Sequence, residues 1–107
     1  MTAMNLNIPT YTLSATTSSS AVTLLDTDVN NSAVNVYNAG SAAVFLVSGA
    51  TSAPTAVFPT SATAPIAGTV VAPGAIETLS KDTRHKFIAG ITASGTASVY
   101  IQCGAGE

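Results

Sequence analysis

The chain has very few charged side chains. Only three of its 107 residues are Lys or Arg and five are Asp or Glu, so charged residues make up 7%, against about 25% in an ordinary globular domain. A monomer exposed on all sides normally carries more charge to stay in solution. The formal net charge of −2 also excludes the basic surface that nucleic acids require. We therefore expect a surface largely occupied by other protein, and no nucleic-acid partner.

Cysteine and long apolar runs are scarce as well. The single cysteine, Cys103, excludes an internal disulfide and is typical of a chain made in a reducing cytoplasm. Hydrophobic residues reach 47%, but no run approaches the ~20 consecutive apolar residues of a membrane helix. The first residues have neither the basic nor the apolar region of a secretory signal. We expect no membrane partner.

Short β-branched runs between turn residues dominate what is present, and Ala, Thr, Ser and Gly supply about half the chain. Residues 32–49 are the clearest example. Val34 and Val36 alternate with polar residues, residues 38–41 supply turn chemistry, and residues 43–47 are a compact apolar run. Two such runs around a glycine-containing turn predict a β-hairpin.

The same motif returns near the end of the chain. Residues 40–50 align with residues 95–105, with Ser replaced by Thr, Phe by Tyr and Leu by Ile. These exchanges keep size and β-propensity, which indicates one β unit used twice. We expect the two hairpins to hold similar places in two facing sheets.

The remaining segments complete an all-β prediction. We expect strands at residues 21–25, 66–71 and 75–79, a type II turn at Pro73-Gly74, and a closing hairpin of residues 87–91 and 97–102. Residues 48–65 carry prolines and predict a long loop with at most an edge strand around Val57 and Phe58. In residues 1–20, the apolar residues either anchor an arm to a neighbouring subunit or form a first strand; they are Leu6, Ile8, Tyr11 and Leu13.

This organisation predicts a small antiparallel β-sandwich, jelly-roll-like, with about seven or eight short strands. We divide it into an N-terminal arm at residues 1–20 and a β-sandwich domain at residues 21–107.

The acidic loop that starts at Asp26 is a candidate ion site. Asp26, Asp28 and Asn30 place oxygen ligands at alternating positions, as at the start of a calcium loop. A calcium-binding EF-hand loop would need Gly at its sixth position and Glu at its twelfth, where this chain has Asn31 and Tyr37. We predict an ordinary turn-rich connection and no metal, although ion binding at this loop stays open.

All three basic side chains lie in one predicted turn: Lys81, Arg84 and Lys86. The turn is either a contact patch for an acidic partner surface or a solvated tip kept soluble by its charges. Ser80, Asp82 and His85 also lie there, but the chain has no G-x-S-x-G elbow and no second His. Cys103 has no cation beside it in sequence to lower its pKa. We predict no catalytic residue, no cofactor and no enzymatic activity.

From residue 32 onward the chain carries three motifs in order: V-x-V-x-N-x-G-S-x-x-V-F, then P-G-x-x-E before a charged turn, then I-T-A-S-G-T-A followed by a final strand. They cover about two-thirds of the chain. In these motifs the chain resembles small virion proteins of tailed bacteriophages. The Thr/Ser-rich amino end and Lys86-Phe87 depart from the family. The matching residues include Val34, Val36, Asn38, Gly40, Ser41, Val44, Phe45, Leu46, Gly49, Pro73, Gly74, Glu77, Ala89, Ile91, Val99, Tyr100 and Ile101.

The resemblance implies a capsid cement or decoration protein. Such a protein binds the outer surface of the assembled shell at junctions of the major capsid protein, often as a homotrimer, after synthesis in the host cytoplasm. On this hypothesis the partner contacts are the basic turn and the amino end. The expected contact residues are Arg84, Lys81, Lys86, Tyr11 and Ile8.

Three other functions stay open. A head–tail connector or tail component would be present in about six or twelve copies under closed cyclic symmetry. A surface fibre or pilin-like subunit is disfavoured by the missing signal and disulfide. A small enzyme or ligand-binding barrel should have convergent polar groups in an apolar pocket, which the sequence alone does not show.

Overall fold

The computed structural model describes residues 6, 8–26, 28–60 and 65–103, which form strands and no helix. No segment of this part of the chain is therefore a helix that could cross a membrane. Eight strands follow in order: β1 (Tyr11–Ala15), β2 (Ser20–Thr23), β3 (Ala33–Asn38), β4 (Val44–Gly49), β5 (Thr69–Val71), β6 (Ile76–Ser80), β7 (Phe87–Thr92) and β8 (Ala97–Cys103).

The strands form two four-stranded sheets in which every pairing is antiparallel. Sheet A has the order β1-β8-β3-β6, and sheet B has the order β2-β7-β4-β5. In sheet A, Val36 lies opposite Ile101 of β8 and Glu77 of β6. In sheet B, Phe45 lies opposite Ile91 of β7 and Val70 of β5. The architecture is all-β and consistent with the predicted small β-sandwich.

The core lies between the sheets because one face of each strand is apolar. Period-two alternation places Leu13 and Ala15 of β1 on the inner face, and Val99 and Ile101 of β8 beside them. Sheet B contributes Val44, Leu46, Val71 and Ile88 to the same cluster. Burial of these side chains is the main stabilising contribution.

The predicted hairpin at residues 32–49 is wrong. Both of its strands exist, but β3 belongs to sheet A and β4 to sheet B, so the turn is an arch between the sheets. The closing hairpin is wrong for the same reason, since β7 lies in sheet B and β8 in sheet A. Among the eight described strands, β4 and β5 are the one consecutive pair that is hydrogen-bonded.

Asn38 explains why the first arch holds its shape. Its fully buried side chain donates from Nδ2 to the carbonyls of Ala42, at 2.9 Å, and Val71, at 3.1 Å. Its Oδ1 accepts from the amide of Gly40 at 3.0 Å. The arch also packs closely on β8: a Cβ on Gly40 would lie 2.4 Å from the Cβ of Ala97. A glycine is therefore required there.

The repeated motif corresponds to β4 and β8, which hold equivalent inner positions. β8 lies between β1 and β3 in sheet A, and β4 lies between β5 and β7 in sheet B. The two sheets are related by exchanging β1 with β5, β2 with β6, β3 with β7 and β4 with β8. This exchange turns the strand order of sheet A into that of sheet B, read in the opposite direction. The expectation that the two hairpins hold similar places in two facing sheets is wrong for the hairpins, which do not form, although β4 and β8 lie at equivalent places in sheets B and A.

The proline-rich loop after β4 covers the outer face of sheet B. Phe45, on that face, is 4% exposed and its ring centroid lies 6.3 Å from that of Phe58. Ala56 is buried, and its amide donates to Ser19 Oγ at 2.8 Å. No strand forms at Val57 and Phe58, so this part of the segment is a loop without the edge strand that the sequence allowed. This cover explains why β4 is apolar on both faces.

The amino end departs from the expected arm. Tyr11–Ala15 is the first strand of sheet A, and β2 begins at Ser20. The sandwich therefore begins at Tyr11 rather than at residue 21, which confirms the first-strand alternative. The turn at Pro73-Gly74 forms as expected: the amide of Ala75 donates to the carbonyl of Ala72, and Gly74 has φ +75°.

Candidate interaction surfaces

Among the described residues, the outer face of sheet A carries no charged side chain. Alternation with the inward-facing residues of β1, β3, β6 and β8 places uncharged polar and apolar side chains on this face. We call it the tyrosine face and define it by Thr12, Ser14, Asn35, Tyr37, Ile76, Thr78, Ser98, Tyr100 and Gln102.

A single cross-strand row forms the centre of the tyrosine face. The registers align Thr12 with Tyr100, Tyr100 with Tyr37, and Tyr37 with Ile76. The two tyrosine rings stack with their centroids 6.2 Å apart. Ile76 is 44% exposed and Tyr100 is 37% exposed. Exposed aromatic and apolar groups without charges are the composition of the central part of a protein–protein interface.

Polar side chains beside this row are held by hydrogen bonds. Thr78 Oγ1 donates to Asn35 Oδ1 at 2.9 Å, and Gln102 Nε2 donates to the carbonyl of Ile8 at 2.9 Å. Asn35 is 1% exposed, and its Nδ2 has no hydrogen-bond partner among the described residues. These contacts fix the edge of the tyrosine face and attach the segment that precedes β1 to it.

The basic turn at residues 81–86 joins β6 to β7, and each of its three cations makes a different contact. Arg84 binds Asp82 through Nε to Oδ1 at 3.1 Å and through Nη2 to Oδ2 at 3.0 Å, and its side chain is 82% exposed. This pairing holds the pKa of the Asp82 carboxyl well below its usual range. Lys86 Nζ lies 5.4 Å from the ring centroid of Phe87. Arg84 and Lys86 are thus placed to contact a partner.

Lys81 and Tyr11 instead contact the acidic loop of their own chain. Lys81 Nζ donates to the carbonyl of Val29 at 2.7 Å. The Tyr11 hydroxyl donates to Asp28 Oδ2 and accepts from the amide of Leu25 at 2.8 Å. Burial and the bond to Asp28 raise the pKa of Tyr11 to about 12. No local pattern indicates these links, which join residues distant along the chain.

The expected contact residues do not form one surface: some lie on the basic turn and others lie beside the tyrosine face or contact the acidic loop. Arg84 and Lys86 are exposed on the basic turn. Ile8 is half-buried beside the tyrosine face through its carbonyl bond to Gln102. Their contact with a partner stays a prediction.

The residues weighed for catalysis are not assembled as a triad. Asp82 binds Arg84, and His85 Nδ1 lies 2.7 Å from Ser48 Oγ. Cys103 is 1% exposed, and burial raises the pKa of its thiol to about 11. Within residues 6, 8–26, 28–60 and 65–103, no three His, Cys, Asp or Glu side chains are grouped to hold a metal ion.

The chain has no significant match to a protein-family model, to a curated protein or to a solved structure. The two antiparallel sheets define the architecture, and the surfaces described above are the basis for a proposed function.

Proposed function

We propose that this protein is a structural virion protein of a tailed bacteriophage, a capsid cement protein that binds the assembled shell at junctions of the major capsid protein. The observation that carries the proposal is the tyrosine face, a sheet surface without charge that presents stacked tyrosines and an exposed isoleucine. The sequence resemblance from residue 32 onward supports the same class of protein.

The chemistry of the tyrosine face suits a rigid protein contact. A tyrosine contributes a large contact area with few rotatable bonds, so it loses little conformational entropy on binding. Hydroxyl and amide groups around it form hydrogen bonds without the desolvation cost of charges. Each contact is weak, but many copies on one shell stabilise it because they bind only the assembled state.

The strand order supports a jelly-roll interpretation of the sandwich. The orders β1-β8-β3-β6 and β2-β7-β4-β5 interleave the two ends of the chain in each sheet, as two Greek keys wound together do. We propose a jelly roll that assembles as a homotrimer, in which exposed apolar groups outside the tyrosine face contact neighbouring copies. These are Leu25, Val57, Ile66 and Val70, with exposures of 42–53%.

The test is binding of the purified protein to shells that lack it, with Ile76→Glu on the tyrosine face and Thr23→Glu as the matched control. Thr23 is an exposed strand residue on sheet B. We expect Ile76→Glu to weaken binding at least about tenfold, since a charge would be desolvated in the contact. Thr23→Glu should bind as the wild type does, and both variants should keep its melting temperature.

Equal binding by wild type and Ile76→Glu would contradict the role of the tyrosine face. Copy number tests the role in the virion independently. Hundreds of copies per particle fit a shell protein, whereas about six or twelve would assign the protein to a connector or tail ring. Light scattering that shows a stable monomer at micromolar concentration would exclude the trimer.

A further inference from the structure

The sandwich is open along one side, where a cleft enters between its sheets. β1 and β2 lie against each other at the closed side, whereas β5 and β6 are the edge strands of the open side. The cleft there has a volume of about 380 Å³, within the range of about 300–1,000 Å³ typical of small-molecule sites. Its walls come from both sheets.

The cleft has an apolar body and a polar end. Val36 and Leu46 lie in the body, and Thr69 lies opposite Leu46 at the edge of sheet B. Toward the ends of β4 and β6 the lining changes to Ser48 and Ser80. Lys81 and His85 complete this polar end. Lys81 and His85 therefore lie together at one end of the cleft, where Ile88 lies opposite Ser48 and provides an apolar contact beside them.

The polar groups at this end are fixed in place. His85 Nδ1 lies 2.7 Å from Ser48 Oγ, and the His85 amide donates to the carbonyl of Asp82 at 3.0 Å. Lys81 Nζ donates to the carbonyls of Val29 and Asp82 at 2.7 and 3.2 Å. An ammonium group carries more donors than these two carbonyls use.

The charge of Lys81 is not balanced by an ion pair. In the part of the chain that the structure describes, the carboxylate of Asp82 is engaged by Arg84, and no carboxylate oxygen lies within 4.0 Å of Lys81 Nζ. Burial lowers the pKa of Lys81, as expected for a partly desolvated cation. A half-buried ammonium group with a spare donor favours an anion.

We propose that this cleft is a binding site for a small amphiphilic carboxylate, a medium-chain fatty acid whose carboxylate lies at Lys81 and His85 and whose chain lies against Val36, Leu46 and Ile88. The charge of Lys81 selects the head group, and the apolar walls select the chain. This site is separate from the tyrosine face and does not depend on the proposed role in the virion.

The first experiment titrates methyl-labelled protein with octanoate, with octanol and octylammonium as probes of the same chain length. Methyl shifts of Leu79, Ile88 and Val34 report on the cleft walls. We expect octanoate to move these methyls and to bind about tenfold more tightly than octanol, because only the carboxylate can form an ion pair with the Lys81 ammonium group. Octylammonium should bind most weakly, since Lys81 repels it.

Two variants then locate the site. Leu79→Trp fills the cleft and should abolish octanoate binding, whereas Ile76→Trp, on the outer side of the same strand, should leave it unchanged. Lys81→Met should remove the preference for octanoate over octanol while octanol still binds. Because octanol binding reports an intact cleft, this variant separates loss of the charge from loss of the fold.

Several outcomes would overturn the proposal. These are no methyl shift with octanoate, equal affinity for all three probes, or octanoate binding that survives in Leu79→Trp. If capsid shells move the same methyls and octanoate does not, the cleft takes a side chain of a partner protein instead.

Discussion

Tyr11 and Cys103 both lie near the buried carboxylate of Asp28. Asp28 is only 6% exposed and accepts a hydrogen bond from the Tyr11 hydroxyl. An unpaired carboxylate at such a position would be costly. Burial and the nearby charge of Asp28 raise the pKa values of Tyr11 to about 12 and of Cys103 to about 11. Both groups therefore stay protonated in the folded chain to a higher pH than in the unfolded chain.

This arrangement predicts a loss of stability at alkaline pH. In the unfolded chain Cys103 and Tyr11 ionise near their ordinary pKa values of 9.0 and 10.0, whereas in the folded chain they ionise near 11 and 12. Between these values the unfolded state binds fewer protons, so the free energy of unfolding falls as the pH rises. The contribution of both groups is complete below about pH 9 and is lost by about pH 12.

Urea unfolding at a series of pH values measures this loss. Cys103→Ala should remove the part of the slope that begins near pH 9, and Tyr11→Phe should remove the part that begins near pH 10. Tyr11→Phe should also lower the free energy of unfolding at pH 8 by about 1–2 kcal/mol, since it leaves Asp28 and the Leu25 amide without a partner. A free energy of unfolding that is constant across this range would show that neither group is shifted.

At the scale of the elements, strand positions were predictable and strand partners were not. Short β-branched runs with period-two alternation correctly indicated β3, β6, β7 and β8. The turn at residues 38–41 has the local signals of a hairpin, and an arch between sheets uses the same residues. What decides between them is the packing on distant parts of the chain, such as the bond from Asn38 to Val71. No local pattern encodes that contact.

The candidate surfaces were predictable to a similar degree. The clustering of all cations identified the basic turn, but only the fold shows that Lys81 contacts its own chain while Arg84 stays exposed. The tyrosine face could not be found from sequence because Tyr37 and Tyr100 meet only through the pairing of β3 with β8. Phe45 is 4% exposed under the loop after β4, whereas Tyr100 is 37% exposed on the tyrosine face.

The role of Asn38 gives a prediction for the arch. Asn38→Ala removes three hydrogen bonds and leaves buried backbone groups of Gly40, Ala42 and Val71 without these partners. We expect the free energy of unfolding to fall by about 2–4 kcal/mol. Asn30→Ala is the matched control, since Asn30 is exposed in a loop and its loss should cost less than about 0.5 kcal/mol. Similar effects of the two variants in urea unfolding would show that Asn38 does not organise the arch.

At the scale of the whole molecule, the few charges and the exposed apolar side chains lie on different surfaces. Sheet A exposes an uncharged face, the loop after β4 covers sheet B at Phe45, and Arg84 and Lys86 are exposed on the turn between β6 and β7. The molecule therefore has two distinct ways to contact a partner. The tyrosine face offers contact area, and the basic turn offers a local positive charge that steers association with an acidic surface.

Charge reversal on the turn tests this division of roles. Arg84→Glu should weaken attachment to purified shells about tenfold at low salt, and less at high salt, because exposed charges are screened. Its melting temperature should stay that of the wild type, since the Arg84 side chain is 82% exposed and contacts only Asp82 among the described residues.

Arg84→Gln is the control that removes the charge without reversing it. Its attachment to purified shells should be weaker than that of the wild type and stronger than that of Arg84→Glu. This order is expected for an electrostatic effect on the association rate rather than for loss of a specific fit. If Arg84→Glu fills the shells as completely and as fast as the wild type, the basic turn has no contact role. Attachment would then depend on the tyrosine face alone, and salt should have little effect on it.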